Sequence, residues 1–263
     1  MKLALFRGIS PQLLLAHFTN PLIYLSRTMA EVSGVSDMRA PYRTHGDAFD
    51  VDDLVSREPF LQFKNWFEEA KLEPNIEEAN AMALATATKN GSPSVRMVLM
   101  KGFDKNGIVF YTNYNSRKAA ELEENPRCSC MFYWEQLKRS IRVEGSVSRL
   151  SKEKSEEYFN SRPRPSQLGA LSSNQGSIVD SRKTISDRFK SLSETYKDED
   201  KTIPKPDCWG GYLVTPDLFE FWQGQTTRLH DRICFRRQSP GEKVDEKLTH
   251  IGEDGWVFER LEP

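Results

Sequence analysis

The sequence predicts an α+β fold that is mainly antiparallel β-sheet, and three features of the chain indicate this class. Apolar residues at helical spacing mark a helix near residue 60, short β-type runs separated by turn residues fill the middle, and strands return in the last third. These strands come in blocks with helices between them, whereas a doubly wound sheet needs strict alternation of strands and helices. We therefore expect a barrel with peripheral helices, built around one main core.

The elements follow in order along the chain. A packing helix is predicted over Glu58 to Leu72, because its aromatic residues recur on one face and charged residues occupy the other. Strands are predicted over residues 81–88, 94–103, 108–112, 128–134 and 139–149. Helices are predicted over residues 152–161 and 180–196, and further strands over residues 211–214, 218–222, 228–237 and 256–260.

Composition and charge exclude several classes of protein. With 37 Lys and Arg against 38 Asp and Glu, the net charge is −1, which argues against a broad basic surface for nucleic acid. No apolar run approaches the roughly 20 residues that a membrane-spanning helix needs. The four cysteines form no CxxC pair and no zinc-type spacing with histidine. We therefore expect no metal site, no disulfide framework and a reducing compartment.

The first 30 residues are basic and partly apolar. They contain Lys2, Arg7 and Arg27 but no acidic residue before Glu31, which is a bias typical of an organelle transit peptide. A flexible leader explains this composition equally well, and Met29 could start a shorter form. We expect a cytoplasmic protein, with mitochondrial targeting by the leader as the alternative.

Two cations occupy the first turn of a short helix that is predicted to begin at Ser116. Arg117 and Lys118 oppose the helix dipole there, by a few tenths to about 1 kcal/mol each. A bound anion reverses the sign of this interaction, because backbone N–H groups and both cations then converge on it. A phosphate site is one interpretation, and a solvated, charged helix end is the other.

Arg96 and Lys101 are the charged residues of an otherwise apolar run that starts at Val95. Because side chains alternate between the two faces of a strand, these cations should face opposite sides and serve different anionic groups. For Arg96, a structural carboxylate partner is the alternative.

A second candidate phosphate cradle follows the predicted helix over residues 152–161. Tyr158 lies one turn before Arg162, and Pro163 and Pro165 are expected to end the helix and place Ser166 in a fixed turn. Two hydroxyls and a guanidinium are suitable donors for a phosphate. A surface helix end explains the same residues equally well.

The segment from Glu220 to Arg232 is the least suited to a core. It is predicted as a strand, a glycine-bearing turn and a second strand, so that Arg228, His230 and Arg232 share one face. Two guanidiniums beside an imidazole lower the pKa of His230 and suit an anionic or electron-rich ligand. An exposed strand with Asp231 as the counter-ion is the alternative.

Four segments together resemble one known family. Residues 220–232 have the form E-F-W-Q-x4-R-[aliphatic]-H-D-R, and three further motifs precede them in the same order: RMVLMK at 96–101, YT at 111–112 with SRK at 116–118, and YFNSRP at 158–163. This set resembles the pyridoxine (pyridoxamine) 5′-phosphate oxidases over about residues 38–263. The resemblance implies an FMN-binding split β-barrel with peripheral helices. It also implies a homodimer with two flavins at the subunit interface, each site built from both chains.

The resemblance further implies the residues of the site. FMN would be held by Arg96, Met97, Val98, Leu99, Tyr111, Thr112, Arg117, Lys118, Gln175, Trp222 and Arg232. The substrate would be held by Lys101, Tyr158, Arg162, Ser166, Arg228, Leu229 and His230, and by Arg39 and Tyr42 in a segment that can cover it. Arg228 and His230 would lie over the pyridine ring as the catalytic pair. Ser140 and Gly176 depart from the glutamine and serine that are frequent in the family, so we leave both out of the predicted site.

The implied reaction is the FMN-dependent oxidation of pyridoxine 5′-phosphate and pyridoxamine 5′-phosphate by O2 to pyridoxal 5′-phosphate. It releases H2O2, and NH3 from the amine. The implied domains are a leader with the covering segment at residues 1–47 and an oxidase domain at residues 48–263, which ends in a dimerisation region. Neither a nucleic-acid nor a membrane partner is expected.

Two rival functions remain open from the sequence. One is a flavin reductase of the same barrel class that uses a nicotinamide donor, and the other is a non-catalytic carrier of pyridoxal 5′-phosphate. The sequence favours the oxidase, because both candidate phosphate cradles and the Arg228 and His230 pair are present.

Overall fold

A computed structural model describes residues 38, 40–43 and 47–263. The α-helices in this part of the chain are α1 (Pro59–Leu72), α2 (Arg117–Glu124), α3 (Lys152–Ser161), α4 (Arg164–Ser172) and α5 (Arg182–Thr195). The strands are β1 (Ala81–Ala87), β2 (Pro93–Leu99), β3 (Gly102–Asp104), β4 (Gly107–Asn113), β5 (Arg127–Trp134), β6 (Arg139–Arg149), β7 (Trp209–Gln223), β8 (Asp231–Arg237), β9 (Thr249–Ile251) and β10 (Trp256–Arg260). The predicted α+β class, mainly antiparallel, is confirmed.

All these strands pair antiparallel in the order β2-β1-β5-β6-β7-β8-β10-β9, with β3 and β4 on a branch. β7 is 15 residues long and pairs with β6 along one edge. Its other edge is divided, because the first part pairs with β4 and the last part with β8. The sheet therefore branches at β7 and stays open.

A β-bulge lies opposite the middle of β7, between Glu144 and Gly145 of β6. A Cβ atom on Gly145 would lie 2.2 Å from the carbonyl oxygen of Thr215, so this close approach requires glycine. Pro216 occupies the same level of β7 and has no N–H to donate. At this irregularity the second edge of β7 changes its partner from β4 to β8.

The main core forms where α1 packs its aromatic face against the sheet. The ring of Phe63 lies 5.3 Å from that of Phe132 on β5, and Trp66 lies 5.4 Å from Phe221 on β7, centroid to centroid. All four rings are almost fully buried. Burial of these rings is the main source of stability for the sheet.

A smaller apolar cluster joins α3 and α4 to the start of β7. It consists of Phe159, Leu168, Ile203 and Trp209. The rings of Phe159 and Trp209 meet edge to face at 5.3 Å. The cluster fixes the end of α3 beside the first residues of β7.

Most predicted elements agree with the structure, and residues 139–149 and 152–161 match end to end. The single strand predicted over residues 94–103 is wrong, because β2 ends at Leu99 and β3 begins at Gly102. The two strands predicted over residues 211–214 and 218–222 are one strand, β7, which continues past the bulge.

The turn predicted after α3 is also wrong. Pro163 is the N-cap of α4 and Pro165 lies in its first turn. The first N–H groups of a helix have no partner inside the helix, so proline is tolerated there. Ser166 is therefore helical.

No helix among residues 47–263 and the few described positions before them is long and apolar enough to cross a membrane. The four cysteines all lie in this part and are free thiols. Of the predicted leader and covering segment, residues 1–47, the structure describes only residues 38, 40–43 and 47, so Arg39 lies outside the described residues. Residues 41–263 form one unit.

Replacement of Phe63 by alanine should lower the free energy of unfolding by about 3–5 kcal/mol, because it leaves a cavity between α1 and the sheet. Leu72→Ala at the end of the same helix is the control. Its side chain is 82% exposed, and we expect a change within about 0.5 kcal/mol. Urea unfolding followed by circular dichroism measures both variants, and equal losses would contradict the packing described for α1.

Candidate active site

A cavity of about 700 Å³ lies between β2, β4, the start of α2 and the ends of α3 and α4, a size typical of small-molecule sites. Its lining includes these residues predicted for FMN: Arg96, Met97, Val98, Leu99, Tyr111, Thr112, Arg117, Lys118 and Gln175. Its lining also includes Lys101, Tyr158 and Arg162, which are predicted for the substrate. One cavity thus gathers most residues of the first two predicted cradles.

The cations of β2 and α2 meet at the carboxylate of Glu121. Arg117 donates to it at 2.7 Å from the preceding turn of α2, and Arg96 of β2 lies 3.5 Å from its other oxygen. Thr86 and Ser94 also donate to this carboxylate. Burial raises the pKa of Glu121, but the hydrogen bonds from Ser94, Thr86 and Arg117 outweigh it and lower the pKa to about 2. Glu121 is therefore ionised and holds both arginines at the cavity wall.

Lys118 is the buried cation of this group. Its Nζ donates to the Thr112 hydroxyl at 3.1 Å, and to Ser116 Oγ and Gln175 Oε1 at 3.2 Å each. Burial, followed by the charge of Arg96, lowers the pKa of Lys118. Because all three partners are neutral, the ammonium has no paired anion among the described residues. The Ser116 hydroxyl makes no capping bond to the first turn of α2, which leaves these N–H groups available to an anion.

A second cationic group lies on the same cavity wall. The ring of Tyr158 stacks on Tyr111 at 4.0 Å, and the guanidinium of Arg162 lies 4.7 Å from the ring centroid of Trp209. Burial lowers the pKa of Arg162, and its Nη1 atom is buried without a protein partner in the described structure. A buried guanidinium N–H without an acceptor is unfavourable, so this atom indicates a place for an anionic ligand. Lys101 lines the cavity beside them.

Tyr42, Trp222, Arg228 and His230 form a separate cluster. The His230 ring lies 4.9 Å from that of Trp222 and 5.8 Å from that of Tyr42, and the Arg228 guanidinium lies 5.2 Å from the Tyr42 centroid. Burial, and then the charge of Arg228, lower the pKa of His230, while Asp231 opposes the shift. Leu229 is 63% exposed at the edge of this cluster.

The strand predicted over residues 228–237 is wrong at its start, because β8 begins only at Asp231. Arg228, with φ +70°, closes a turn by donating its N–H to the carbonyl of Gln225 at 3.1 Å. Arg228 and His230 therefore do not share a strand face with Arg232. A left-handed conformation is unfavourable for arginine, so other contacts must hold this turn. Thr226 supplies one set, since its hydroxyl donates to the carbonyls of residues 42 and 43.

Arg232 lies on β8 and pairs with the carboxylate of Glu220 at 2.9 Å. Arg142 binds the same carboxylate at 2.6 Å. Burial raises the pKa of Glu220, but the two arginines together lower it. Glu220 thus orients both guanidiniums on the half of the sheet that carries Trp222.

One chain does not bring the cavity and the Trp222 cluster together. Along β7, eleven residues separate Gly211, which pairs with Tyr111, from Trp222, a distance of up to about 36 Å at 3.3 Å per residue. None of Trp222, Arg228, His230 and Arg232 lines the cavity, and neither does Ser166. The predicted site residues therefore fall into two groups within a protomer.

Two family models match the chain. One, for pyridoxamine 5′-phosphate oxidase, matches residues 68–196, and the other, for the C-terminal dimerisation region of pyridoxine 5′-phosphate oxidase, matches residues 209–263. A pyridoxine/pyridoxamine 5′-phosphate oxidase of Bombyx mori is 50% identical over 242 residues, covering 92% of this chain and 93% of the relative. The chain belongs to the pyridoxamine 5′-phosphate oxidase family.

A second relative and a solved structure are also similar to this chain. The pyridoxine-5′-phosphate oxidase of Bos taurus is 51% identical over 227 residues, which is 86% of each chain. PhzG from Burkholderia lata 383, solved in complex with tetrahydrophenazine-1-carboxylic acid, is 26% identical with a TM-score of 0.71 and covers 82% of this chain and 98% of its own. The family resemblance of the sequence is thus confirmed over both the cavity and the C-terminal strands.

The sequence analysis did not predict that Glu121 and Trp209 contribute to this site. Glu121 follows Arg117 by four residues, a spacing that predicts an ion pair, but its reach to β2 depends on how α2 packs on the sheet. Trp209 reaches the cavity because it is the first residue of β7, which no local pattern reveals. Gly176, one of the two departures from the family pattern, lines the cavity, and Ser140 pairs with Trp222 across β6 and β7.

Glu121→Gln should lower the free energy of unfolding at pH 7 by about 1–3 kcal/mol, because the buried donors lose a charged acceptor. The folded-state pKa is lowered, so the wild-type carboxylate stabilises the fold above pH 4.5 and loses this effect as pH falls toward about 2. The variant should therefore lose less stability between pH 6 and pH 3. Glu123→Gln, at a carboxylate that is 70% exposed, is the control in urea unfolding at each pH, and identical acid profiles for Glu121→Gln and wild type would contradict the assignment.

Proposed function

We propose that this protein oxidises the C4′ alcohol of pyridoxine 5′-phosphate, and the C4′ amine of pyridoxamine 5′-phosphate, to the aldehyde pyridoxal 5′-phosphate. FMN is the cofactor and O2 the final acceptor, with release of H2O2, and of NH3 from the amine. One observation carries the proposal: a single cavity holds two separate cationic groups, each with a buried donor that lacks an anion. This arrangement suits two phosphorylated molecules side by side.

The first group fits the phosphate of FMN. Arg96 and Arg117 share one carboxylate, Glu121, and Lys118 has only neutral partners, so this part of the cavity carries three positive charges and one negative charge. The unpaired N–H groups at the start of α2 add further donors. Lys118 is the residue that a phosphate would stabilise most, because it is desolvated and has only neutral partners.

The second group fits the phosphate of the vitamer. Arg162 offers a buried N–H without an acceptor, and Lys101 and the Tyr158 hydroxyl line the same wall. Phosphate recognition by a guanidinium, an ammonium and a hydroxyl is specific as well as strong, because the guanidinium can bind two oxygens. A substrate without the phosphate should bind poorly here.

When bound, FMN supplies the redox chemistry of the reaction. The protein's own residues orient the substrate, since a near-attack separation of about 3 to 3.5 Å is the geometric requirement for transfer. Arg228 would supply a positive charge and hydrogen-bond donors beside the substrate ring, and His230 would supply a hydrogen-bonding nitrogen there. Both side chains belong to the turn that Thr226 holds.

We further infer a homodimer in which each site takes its cavity from one copy and Trp222, Arg228, His230 and Arg232 from the other. The separation of the two groups within one protomer supports this arrangement. Exposed apolar side chains on β2 and β5 support it as well, because they form a face that a second copy can cover: Val95 (67%), Met97 (65%), Met131 (42%) and Tyr133 (54%). The C-terminal match to a dimerisation region is consistent with it.

The direct test of the activity is H2O2 release from the FMN-loaded protein on addition of pyridoxine 5′-phosphate. Anaerobic bleaching of the flavin by this vitamer is the expected result. Reduction by NADPH but not by the vitamer would instead select a flavin reductase. Tight binding of pyridoxal 5′-phosphate without O2 uptake would select a carrier.

A shared site predicts complementation between two inactive variants. Arg162→Ala should lose the vitamer phosphate contact, and Arg228→Ala should lose kcat/KM while FMN stays bound. In a mixed dimer one site then carries both changes and the other carries neither. Random reassortment of equal amounts should restore about a quarter of wild-type activity, because half of the dimers are mixed and half of their sites are intact.

The control is the double variant Arg162→Ala/Arg228→Ala mixed with Arg228→Ala, which cannot form an intact site. Steady-state H2O2 release after co-refolding or co-expression measures both mixtures. No recovery in the first mixture, with mixed dimers demonstrated by differential tags, would refute a site built from two chains.

Lys118→Met should weaken FMN binding by about 10- to 100-fold, because a buried charged hydrogen bond contributes about 1.5–3 kcal/mol. Lys105→Met, at an exposed position in the β3–β4 turn, is the matched control and should leave the FMN dissociation constant unchanged. Quenching of flavin fluorescence gives both constants. Equal affinity of the two variants would remove Lys118 from the cofactor site.

A further inference from the structure

Gln225 connects the turn that carries Arg228 and His230 to the interior of the protein through two separate hydrogen bonds. Its main-chain N–H donates to Nδ1 of His230 at 3.0 Å. Its side-chain Nε2 donates to Oδ2 of Asp231 at 2.7 Å. With 2% exposure, Gln225 is as buried as a core residue, although it lies at the base of an exposed turn.

Asp231 is itself fixed from three sides. Besides Gln225, the main-chain N–H of Phe49 donates to Oδ2 at 3.0 Å, and Arg260 donates to Oδ1 at 2.5 Å. The residue is 3% exposed, so these donors replace water almost completely. A carboxylate with every contact supplied by rigid elements can hold the Gln225 side chain in one place.

The bond from the main chain determines which nitrogen of His230 carries the proton. A backbone amide can only donate, so the ring nitrogen that it meets must be an unprotonated acceptor. In a neutral imidazole the proton then resides on Nε2. A flipped ring would place a carbon against the amide and leave this N–H without an acceptor. Burial and the nearby Arg228 lower the pKa of His230, which favours the neutral form.

We propose that Gln225 and Asp231 are positioning residues that hold His230 as the tautomer protonated at Nε2, so that His230 meets its ligand as a hydrogen-bond donor. The inference rests on the proposed function for the identity of that ligand, an oxygen acceptor on the vitamer ring. The tautomer itself follows from the contacts of residues 225–231 and does not require turnover. His230 is accordingly not the base that removes the substrate proton, because its other nitrogen is occupied by Gln225.

The tautomer is measured directly by long-range ¹H–¹⁵N correlation spectra of the full protein labelled with ¹⁵N-histidine, with FMN bound and at pH 7.5. The chain has four histidines, and loss of one pattern in His230→Gln assigns the signal. We expect the pattern of an Nε2-protonated ring. An Nδ1-protonated or doubly protonated ring in the wild type would overturn the proposal, whatever the oxidase activity.

Gln225→Met tests the positioning role, because it keeps the main-chain N–H and the side-chain length but removes the bond to Asp231. We expect His230 to show a mixture of tautomers, and kcat/KM for pyridoxine 5′-phosphate to fall about tenfold with FMN affinity unchanged. Gln238→Met, the same substitution at an exposed residue just after the end of β8, should leave the His230 spectrum and the kinetics as in wild type. A wild-type His230 pattern in Gln225→Met would refute the role of Gln225.

A pair of substitutions at His230 distinguishes a donor from an acceptor. In His230→Gln the side-chain amide nitrogen reaches the position of Nε2 and can donate a hydrogen bond there. The shorter side chain of His230→Asn reaches only the position of Nδ1 and leaves no donor at the position of Nε2. We expect His230→Gln to retain about tenfold more kcat/KM than His230→Asn. The opposite order would contradict the donor role. If the tautomer is as expected but no vitamer is oxidised, the proposed function fails and the assignment of His230 stands.

Discussion

The cavity depends on the ion pairs that the buried carboxylate of Glu121 makes with Arg96 and Arg117, close to the third cation of this wall, Lys118. Arg96, Arg117 and Lys118 would repel one another in a half-buried wall, where the effective dielectric constant is lower than in water. Glu121 offsets part of this repulsion and fixes the two arginines by hydrogen bonds. The remaining positive charge is what an anionic ligand neutralises. Preorganisation of this kind reduces the entropy that binding would otherwise lose.

The length of β7 supports the proposal that the site is built from two chains. Its first half pairs with β4 and supports the cavity, and its second half pairs with β8 and supports the turn with Arg228. The bulge at Gly145 separates the two halves. The two halves of β7 lie apart within one protomer. In the proposed homodimer, a second copy would bring the turn with Arg228 and His230 to the cavity that holds both candidate phosphate cradles.

Local patterns in the sequence predict the helices and strands in which the spacing of apolar residues marks the buried face. The aromatic spacing of α1 and the strand of residues 139–149 are examples. The helix after Pro163 was missed because we took the two prolines to end the preceding helix, although proline is equally suited to the first turn of a new helix. The turn at Arg228, with its positive φ, was missed because Thr226 holds it through contacts with residues 42 and 43, which are distant in the chain. The same holds for Glu121, whose contact with Arg96 arises only when α2 packs on β1 and β2.

The two halves of the proposed site have a common chemical character. Lys118 presents a positive charge without a paired anion and Arg162 an unpaired donor in the cavity, and Arg228 with the Nε2 proton of His230 presents donors from the turn. Such a set suits a ligand that is anionic at its phosphate and carries an oxygen acceptor on its ring. It also leaves the turn without an acceptor for the proton of the C4′ hydroxyl, since Nδ1 of His230 is bonded to Gln225. In the proposed site the proton would therefore leave through another acceptor, such as water or the substrate itself, and the turn would contribute orientation and charge rather than general-base catalysis.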